Sequence, residues 1–142
     1  MTSGIIEILI EDAGVQAISG LQRSDNTYKV FPVVNQSKEN EGQPYIVVFK
    51  SSNSPVTGKD CNGLLDNPQV TIHCYGKNFR QTETMFEAVR AALDNKQSTT
   101  DAGYKFNYIR LVNDSDGFDA NNNAYVHICT FECEVDYSYV AT

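Results

Sequence analysis

The sequence contains few of the residues from which active sites are usually built. Its 142 residues include only two histidines, His73 and His127, and both fall in stretches that alternate apolar and polar residues, as strands do. The motifs G-x-S-x-G, H-E-x-x-H, Walker A and G-x-G-x-x-G do not occur. A reactive thiol at Cys61 would need a base, and none accompanies it in sequence. We therefore predict that the protein is not an enzyme and uses no cofactor.

Long apolar runs and basic stripes are also lacking. No run approaches the roughly 20 apolar residues that a membrane span needs, so we expect no membrane partner. The first residues lack the basic start and apolar centre of a secretory signal. Net charge is −7, from 18 acidic and 11 scattered basic residues, which disfavours adhesion to duplex DNA. An acidic protein can still line a channel through which DNA passes, because like charges repel.

The cysteines and acidic residues do not form a convincing metal site. Cys129 and Cys133 share a strand face but lie about 13 Å apart along it, too far to bridge each other. A bridge from Cys74 to one of them stays open, although reduced cysteines used as core residues are favoured. His127, Cys129 and Cys133 are three possible zinc ligands on one strand. Their side chains diverge along the strand, whereas the ligands of a zinc site converge. Residues 114–119 lack the ligand spacing of an EF-hand loop. We predict no bound metal.

Hydrophobic periodicity predicts two helices and five strands. An amphipathic helix is expected over residues 4–20 and another over residues 78–95, the second with a stripe of Phe79, Thr82, Phe86, Val89 and Leu93. The strands are predicted at residues 28–34, 44–50, 68–75, 104–112 and 124–140.

Shared side-chain directions are predicted for two of these strands, and an inward face for the last one. In the fourth, one side is expected to hold Tyr104, Phe106, Tyr108, Arg110 and Val112. In the last, the inward residues are expected to be Cys129, Phe131, Cys133, Val135 and Tyr137. The polar stretches at residues 51–66 and 113–123 are predicted to be loops, and long loops in compact domains tend to be functional.

The element order predicts the fold class. Strands joined without crossover helices pair as antiparallel hairpins, and two amphipathic helices on one face of a sheet form an economical two-layer structure. The prediction is an α+β fold in one domain over residues 1–142, with a four-stranded, mainly antiparallel sheet and two helices on one face. Its order is α-β-β-β-α-β-β, with the first strand short. The opposite sheet face is expected to be wet or to meet a partner.

In their order and spacing, several segments resemble the tail completion, or tail terminator, proteins of long-tailed bacteriophages. The resemblance covers nearly the whole chain. It rests on ILIEDAGV (8–15), ISG (18–20), VFP (30–32), QPYIVVF (43–49), VTIHCY (70–75), AVRAAL (88–93), DGFD (116–119) and EVDY (134–137).

This resemblance implies a structural role in the virion. Such proteins form a ring, usually a hexamer, that caps the finished tail tube, stops its polymerisation and joins it to the head connector. The implied partners are other copies of the chain, the tail tube protein and the connector protein, with DNA only passing through the lumen. The implied location is the tail–head junction of the virion, after assembly in the host bacterial cytoplasm.

Candidate contact residues follow from that role. The predicted ring or tube contacts are Thr57, Lys59, Asp60, Asn62, Asp114, Asp116, Phe118 and Asp119. The predicted acidic channel wall is Glu132, Glu134 and Asp136. Two alternatives stay open: another head–tail connector or neck ring protein, and, from a different class, a small ligand-binding or enzymatic α+β domain that would depend on Cys61 or His73.

Overall fold

The chain begins with two helical segments where one helix was expected. The structure, a computed structural model, describes residues 2–33, 42–55, 65–99, 105–121 and 123–136. Helix α1 spans Thr2–Glu11 and helix α2 spans Ala13–Gln16. They are separate because the Asp12 carboxylate accepts the Val15 N–H at 3.0 Å and caps α2. The apolar side chains of both helices still face one core.

Six strands form one sheet. Their bounds, with helix α3 (Phe79–Leu93) between β3 and β4, are β1 Val30–Pro32, β2 Tyr45–Pro55, β3 Leu65–Gly76, β4 Ser98–Thr99, β5 Lys105–Asp119 and β6 Ala124–Asp136. The spatial order is β1-β2-β3-β6-β5-β4. All neighbours are antiparallel except β1 and β2, which are parallel. The α+β class is confirmed, but the four-stranded sheet is wrong, because short strands extend it at both edges.

Side-chain capping sets the start of helix α3. The Asn78 side chain accepts the Gln81 N–H at 2.9 Å, and the Gln81 side chain accepts the Lys77 N–H at 2.8 Å. The buried residues are Thr82, Met85, Val89, Ala92 and Leu93. Phe79, expected on the buried stripe, is 44% exposed because it lies in the first helical turn. In the described part of the chain, no helix is long and apolar enough to span a membrane.

One hydrophobic core lies between the helices and one face of the sheet. Residues from α1, α2 and α3 pack there against alternate residues of the central strands, including Ile46, Val48, Val70, Ile72 and Phe131. All three helices therefore cover the same sheet face. The sequence predicted two helices on one face. Cys74, Cys129 and Cys133 are free and buried in this layer, whereas Cys61 lies outside the described residues.

Strand β6 follows its predicted alternation and strand β5 does not. Cys129, Phe131, Cys133 and Val135 are buried as expected, while Tyr137 lies outside the described residues. In β5 the register shifts between Phe106 and Tyr108 and again between Leu111 and Asn113. These bulges put Phe106 and Ile109 in the core and turn Tyr108 and Arg110 to the other face, opposite Glu134 and Glu132.

Both predicted loops prove to be partly strand. Strand β5 continues to Asp119 and β6 begins at Ala124, so most of the expected loop at residues 113–123 is a paired hairpin. Strand β2 likewise continues to Pro55 and β3 begins at Leu65, and residues 56–64 lie outside the described part. In both cases cross-strand pairing overrides the turn propensity of the sequence.

Candidate functional site

The turn end of the β5–β6 hairpin gathers one group of predicted contact residues. Asp114, Asp116 and Phe118 point to the helix side of the sheet, opposite Cys129, His127 and Tyr125 in the ladder. Asp119 belongs to the alternate set and points to the other side. The remaining predicted contacts, Thr57, Lys59, Asp60 and Asn62, lie outside the described residues.

His127 fastens this hairpin to helix α3. Its Nδ1 lies 2.6 Å from an Asp116 carboxylate oxygen and its Nε2 lies 2.8 Å from one of Asp114. The imidazole stacks on the Phe86 ring with centroids 4.2 Å apart and is only 6% exposed. Ionised carboxylates accept hydrogen bonds, and such charge-assisted bonds are among the stronger ones in proteins. These contacts of His127 with Asp114, Asp116 and Phe86, which we call the His127 clamp, hold the turn end of the hairpin beside α3.

The sequence did not predict this arrangement. His127 was considered only as a zinc ligand with Cys129 and Cys133, whose side chains lie in the core. Its real partners are the carboxylates of Asp114 and Asp116 on the neighbouring strand. Their spacing of two residues is the one available signal, because it matches a strand face and not a turn.

Three aromatic side chains beside this clamp are exposed, and one of them contacts the other two. Phe79, Phe118 and Tyr125 are 44%, 54% and 40% exposed. Tyr125 lies between the other two rings, with its centroid 6.4 Å from that of Phe79 and 5.1 Å from that of Phe118. We call these three residues the hairpin patch. A contiguous exposed apolar patch is characteristic of an interaction surface. Phe118 was predicted as a contact residue, whereas Phe79 and Tyr125 were not.

The predicted channel-wall residues lie on the sheet face opposite the helices. Glu132, Glu134 and Asp136 alternate with the buried residues of β6 and are half-buried. Arg110 donates through Nε and a terminal nitrogen to Glu132, with a shortest distance of 3.0 Å. That bond raises the pKa of Arg110. Asn107 donates to Glu134 at 2.8 Å. The charge of Glu132 is therefore compensated, a feature that the sequence pattern did not indicate.

The other half of the same face is aromatic. Phe31, Tyr45 and Val47 form a second buried cluster, against which Phe49 and Tyr75 pack. Tyr45 stacks on Tyr75 with centroids 4.7 Å apart. The face that was expected to be wet or in contact with a partner is therefore divided between this cluster near β1 and charged residues near β5.

His73 stands at the border of this cluster. Its Nδ1 lies 3.1 Å from the Tyr75 hydroxyl oxygen and its ring packs edge-on against Phe49. Burial lowers the pKa of His73 and raises the pKa of Tyr75, so both groups favour their neutral forms. A neutral tyrosine hydroxyl is a poor nucleophile.

Two of the described thiols are poorly suited to nucleophilic chemistry. Burial raises the pKa of Cys133 to about 12, and contact with Cys74 together with burial raises the pKa of Cys129. Both thiols therefore stay protonated near neutral pH, whereas the thiolate is the reactive form. Within the described ranges, no group of three or more His, Cys, Asp or Glu side chains is arranged to hold a metal ion.

The chain is similar to a known protein family in sequence and to a solved structure in fold. The family model for tail completion protein gp17 matches residues 3–136. Among solved structures, a chain from the virion of a native gene transfer agent (GTA) particle is similar, with a TM-score of 0.69 and 13% sequence identity. The match covers 96% of this chain and 94% of that chain. At this identity the likeness shows the fold alone. No curated protein matches the chain in sequence.

Proposed function

We propose that this chain, which belongs to the tail completion protein gp17 family, is the tail terminator of a bacteriophage-like virion. In this role the subunits form a ring, a hexamer, that caps the tail tube, stops its polymerisation and joins it to the head connector. The family match over residues 3–136 carries the proposal. The fold likeness to a virion chain over nearly its whole length supports it.

The mechanism is capping by complementary surfaces and needs no bond chemistry. A closed ring uses heterologous contacts, so each subunit presents two different patches to its neighbours. Separate surfaces would meet the tail tube protein on one side and the connector protein on the other. Assembly would take place in the host bacterial cytoplasm, and the ring would then stay at the tail–head junction of the virion.

The acidic part of the sheet face is our candidate for the channel wall. Glu132, Glu134 and Asp136 are its acidic residues, and Arg110 pairs with Glu132. DNA would pass this wall without adhering, because the phosphates and carboxylates repel each other. The DNA is therefore cargo in the lumen and not a bound partner.

Tube length is the direct test of this function. Purified tail tube protein would be polymerised with and without the chain, and tube lengths and ends would be recorded by electron microscopy. We expect shorter tubes with a ring at one end, and in solution a species near six times the 15.8 kDa subunit, about 95 kDa. Tubes of unchanged length with bare ends would contradict the proposal. Binding to the connector alone would favour the alternative of another neck ring.

The contact role of residues 57–63 needs its own test. A chain with these residues deleted would be compared with the full chain in the tube assay. We expect the deletion to weaken the ring or the cap, because Thr57, Lys59, Asp60 and Asn62 are proposed contacts. An intact ring on capped tubes would show that this assignment is wrong without affecting the role of the protein.

A further inference from the structure

The exposed apolar side chains mark the two edges of the sheet. Among the described residues, the large hydrophobic side chains that are exposed are Val33, Phe79, Val112, Phe118 and Tyr125. Val33 directly follows β1, the strand at one edge. The other four lie on β5, on the adjacent part of β6 and at the start of α3. Strands β1 and β5 are four strand spacings apart, which is about 19 Å.

The β5 edge is open over its second half. Strand β4 pairs only with Lys105 and Phe106. The segment after α3 then covers the next part, where the Asn95 N–H donates to the Ile109 carbonyl and the Leu111 N–H donates to the Asp94 carboxylate. Beyond Leu111, no strand in the described ranges pairs with the outer edge of β5. An open edge beside exposed aromatic residues is a template for association.

The β1 edge carries a strained and exposed residue. Val33 has a φ of +66° and is 67% exposed, a conformation that is costly for a β-branched side chain. Its N–H donates to the Val48 carbonyl at 2.9 Å, which holds the strained backbone in place. Nearby, the Arg23 guanidinium lies 5.3 Å from the centre of the Phe31 ring. Strain retained at an exposed position is characteristic of functional surfaces.

The two edges carry opposite charge. The turn end of the hairpin contains Asp114, Asp116 and Asp119 and no basic residue apart from His127. The side chains of Asp114 and Asp116 are 38% and 50% exposed. Residues 21–33 contain Arg23 and Lys29 against the single acid Asp25. Complementary charges of this kind orient and select partners at an interface.

We propose that the hairpin patch and the open β5 edge of one copy seat against the β1 edge of the next copy, around Val33. The inference rests on the proposed ring and specifies its subunit contact. Different surfaces at opposite edges of one subunit are what a closed head-to-tail ring requires. The contact would bury the exposed aromatic side chains and would bring the acidic hairpin near Arg23 and Lys29. The His127 clamp would hold the hairpin in position beforehand.

The test uses two variants, each with a substitution that disrupts one of the two surfaces of the proposed contact. We call them the blocked variants. Phe118→Asp places a charge in the hairpin patch, and Val33→Asp places one at the β1 edge. Thr84→Asp, at an exposed position of α3 outside both edges, is the matched control. Circular dichroism would verify that each variant is folded. Assembly would be followed by sedimentation velocity in solution and by electron microscopy on tail tubes.

We expect each blocked variant to need more than about tenfold higher concentration than the unaltered chain for assembly. The Thr84→Asp control should assemble like the unaltered chain. A mixture of the two blocked variants should form pairs of twice 15.8 kDa, about 32 kDa, but no rings. Each such pair uses the intact hairpin of Val33→Asp and the intact β1 edge of Phe118→Asp.

The other outcomes separate this inference from the proposed function. Rings that persist in both blocked variants would overturn the edge contact and leave the terminator role intact. Blocked variants that do not pair when mixed would also overturn it, because a head-to-tail contact must be restored by mixing. If the unaltered chain neither forms rings nor caps tubes, the proposed function fails and this inference fails with it.

Discussion

The imidazole of His127 joins three elements through a single side chain. It bonds Asp114 and Asp116 of β5 and stacks on Phe86 of α3 while lying on β6. Because both nitrogens and one ring face are in use, few other side chains could replace it. His127 therefore contributes directly to the position of the hairpin turn beside α3.

We predict that His127→Gln lowers the free energy of unfolding by roughly 1.5–3 kcal/mol. An amide can reach at most one of the two carboxylates and cannot reproduce the ring stacking, so one charge-assisted hydrogen bond is lost. Urea denaturation of the purified chain measures the change. Glu87→Gln, which alters an exposed carboxylate on α3, is the control and should change stability little. Equal stability of both variants would show that the clamp contributes nothing.

His73 should make the stability of the chain sensitive to mild acid. Burial against Phe49 and Tyr75 lowers its pKa below the ordinary 6.5, and the weaker effect of Asp119 opposes this. Below pH 6.5 the unfolded chain therefore binds a proton that the folded chain resists. The stabilisation is complete above that pH and is lost as the pH falls through the lowered pKa.

We predict that the unaltered chain loses more stability than His73→Gln as the pH falls below 6.5. The difference in slope should be a fraction of the ~1.4 kcal/mol per pH unit that one proton can contribute, because His73 is only half-buried. Urea denaturation at a series of pH values measures both slopes. Identical slopes would exclude His73 as the source of the acid sensitivity.

At the scale of elements, the strands show which features a sequence pattern can predict. Strand β6 was correctly assigned an inward face because its alternation is uninterrupted from Cys129 to Val135. In strand β5 the residues expected to share one side are divided between the two faces because two bulges shift its period, and a bulge leaves no signature in an alternating pattern. Residue spacing therefore predicts a face only where the ladder is regular.

The hairpin turn was misplaced for a different reason. Asp, Asn, Ser and Gly between Asn113 and Asn123 are typical turn residues, yet β5 continues through most of them. The strand persists because it pairs with β6 and because His127 engages Asp114 and Asp116. These are contacts between strands, so local propensity could not indicate them. The hairpin patch was missed in part because its residues come from three different elements.

We predict that Asn78→Ala destabilises the chain by about 1 kcal/mol and frays the first turn of α3, which holds Phe79 of the hairpin patch. The Asn78 side chain caps α3, and Phe79 of the patch follows it directly. Loss of an N-cap typically costs about 1 kcal/mol and frays the first turn. Urea denaturation measures the stability. Asn78→Asp keeps the cap and should be close to the unaltered chain, whereas equal losses in both variants would argue against capping as the cause.

At the scale of the molecule, different surfaces of the sheet serve different parts of the proposed role. One face is covered by three helices and supplies the core. The other carries an aromatic cluster near β1 and charged residues near β5. The two edges differ in shape and charge, as a ring contact requires. A single layer can therefore provide both the subunit contacts and the wall of a channel.

The proposed channel wall leads to a prediction about DNA. In a six-membered ring, Glu134→Lys with Asp136→Lys would raise the net charge of the lumen by about 24, four for each subunit, because each substitution removes a negative charge and adds a positive one. We expect such rings to retain duplex DNA in a salt-dependent manner, whereas the unaltered protein, with a net charge of −7, does not. Glu83→Lys with Glu87→Lys adds the same charge on the exposed side of α3 and serves as the control.

Gel retardation across a range of salt concentrations would compare the two double variants. If the acidic face lines the lumen, Glu134→Lys with Asp136→Lys should hold threaded DNA at salt concentrations that release it from the control. The reason is that charges all around a channel act together on the DNA inside it. Particles carrying that variant should also eject DNA more slowly. Equal retention by both variants would mean that the β6 face lies outside the channel, and another surface would then have to form the wall.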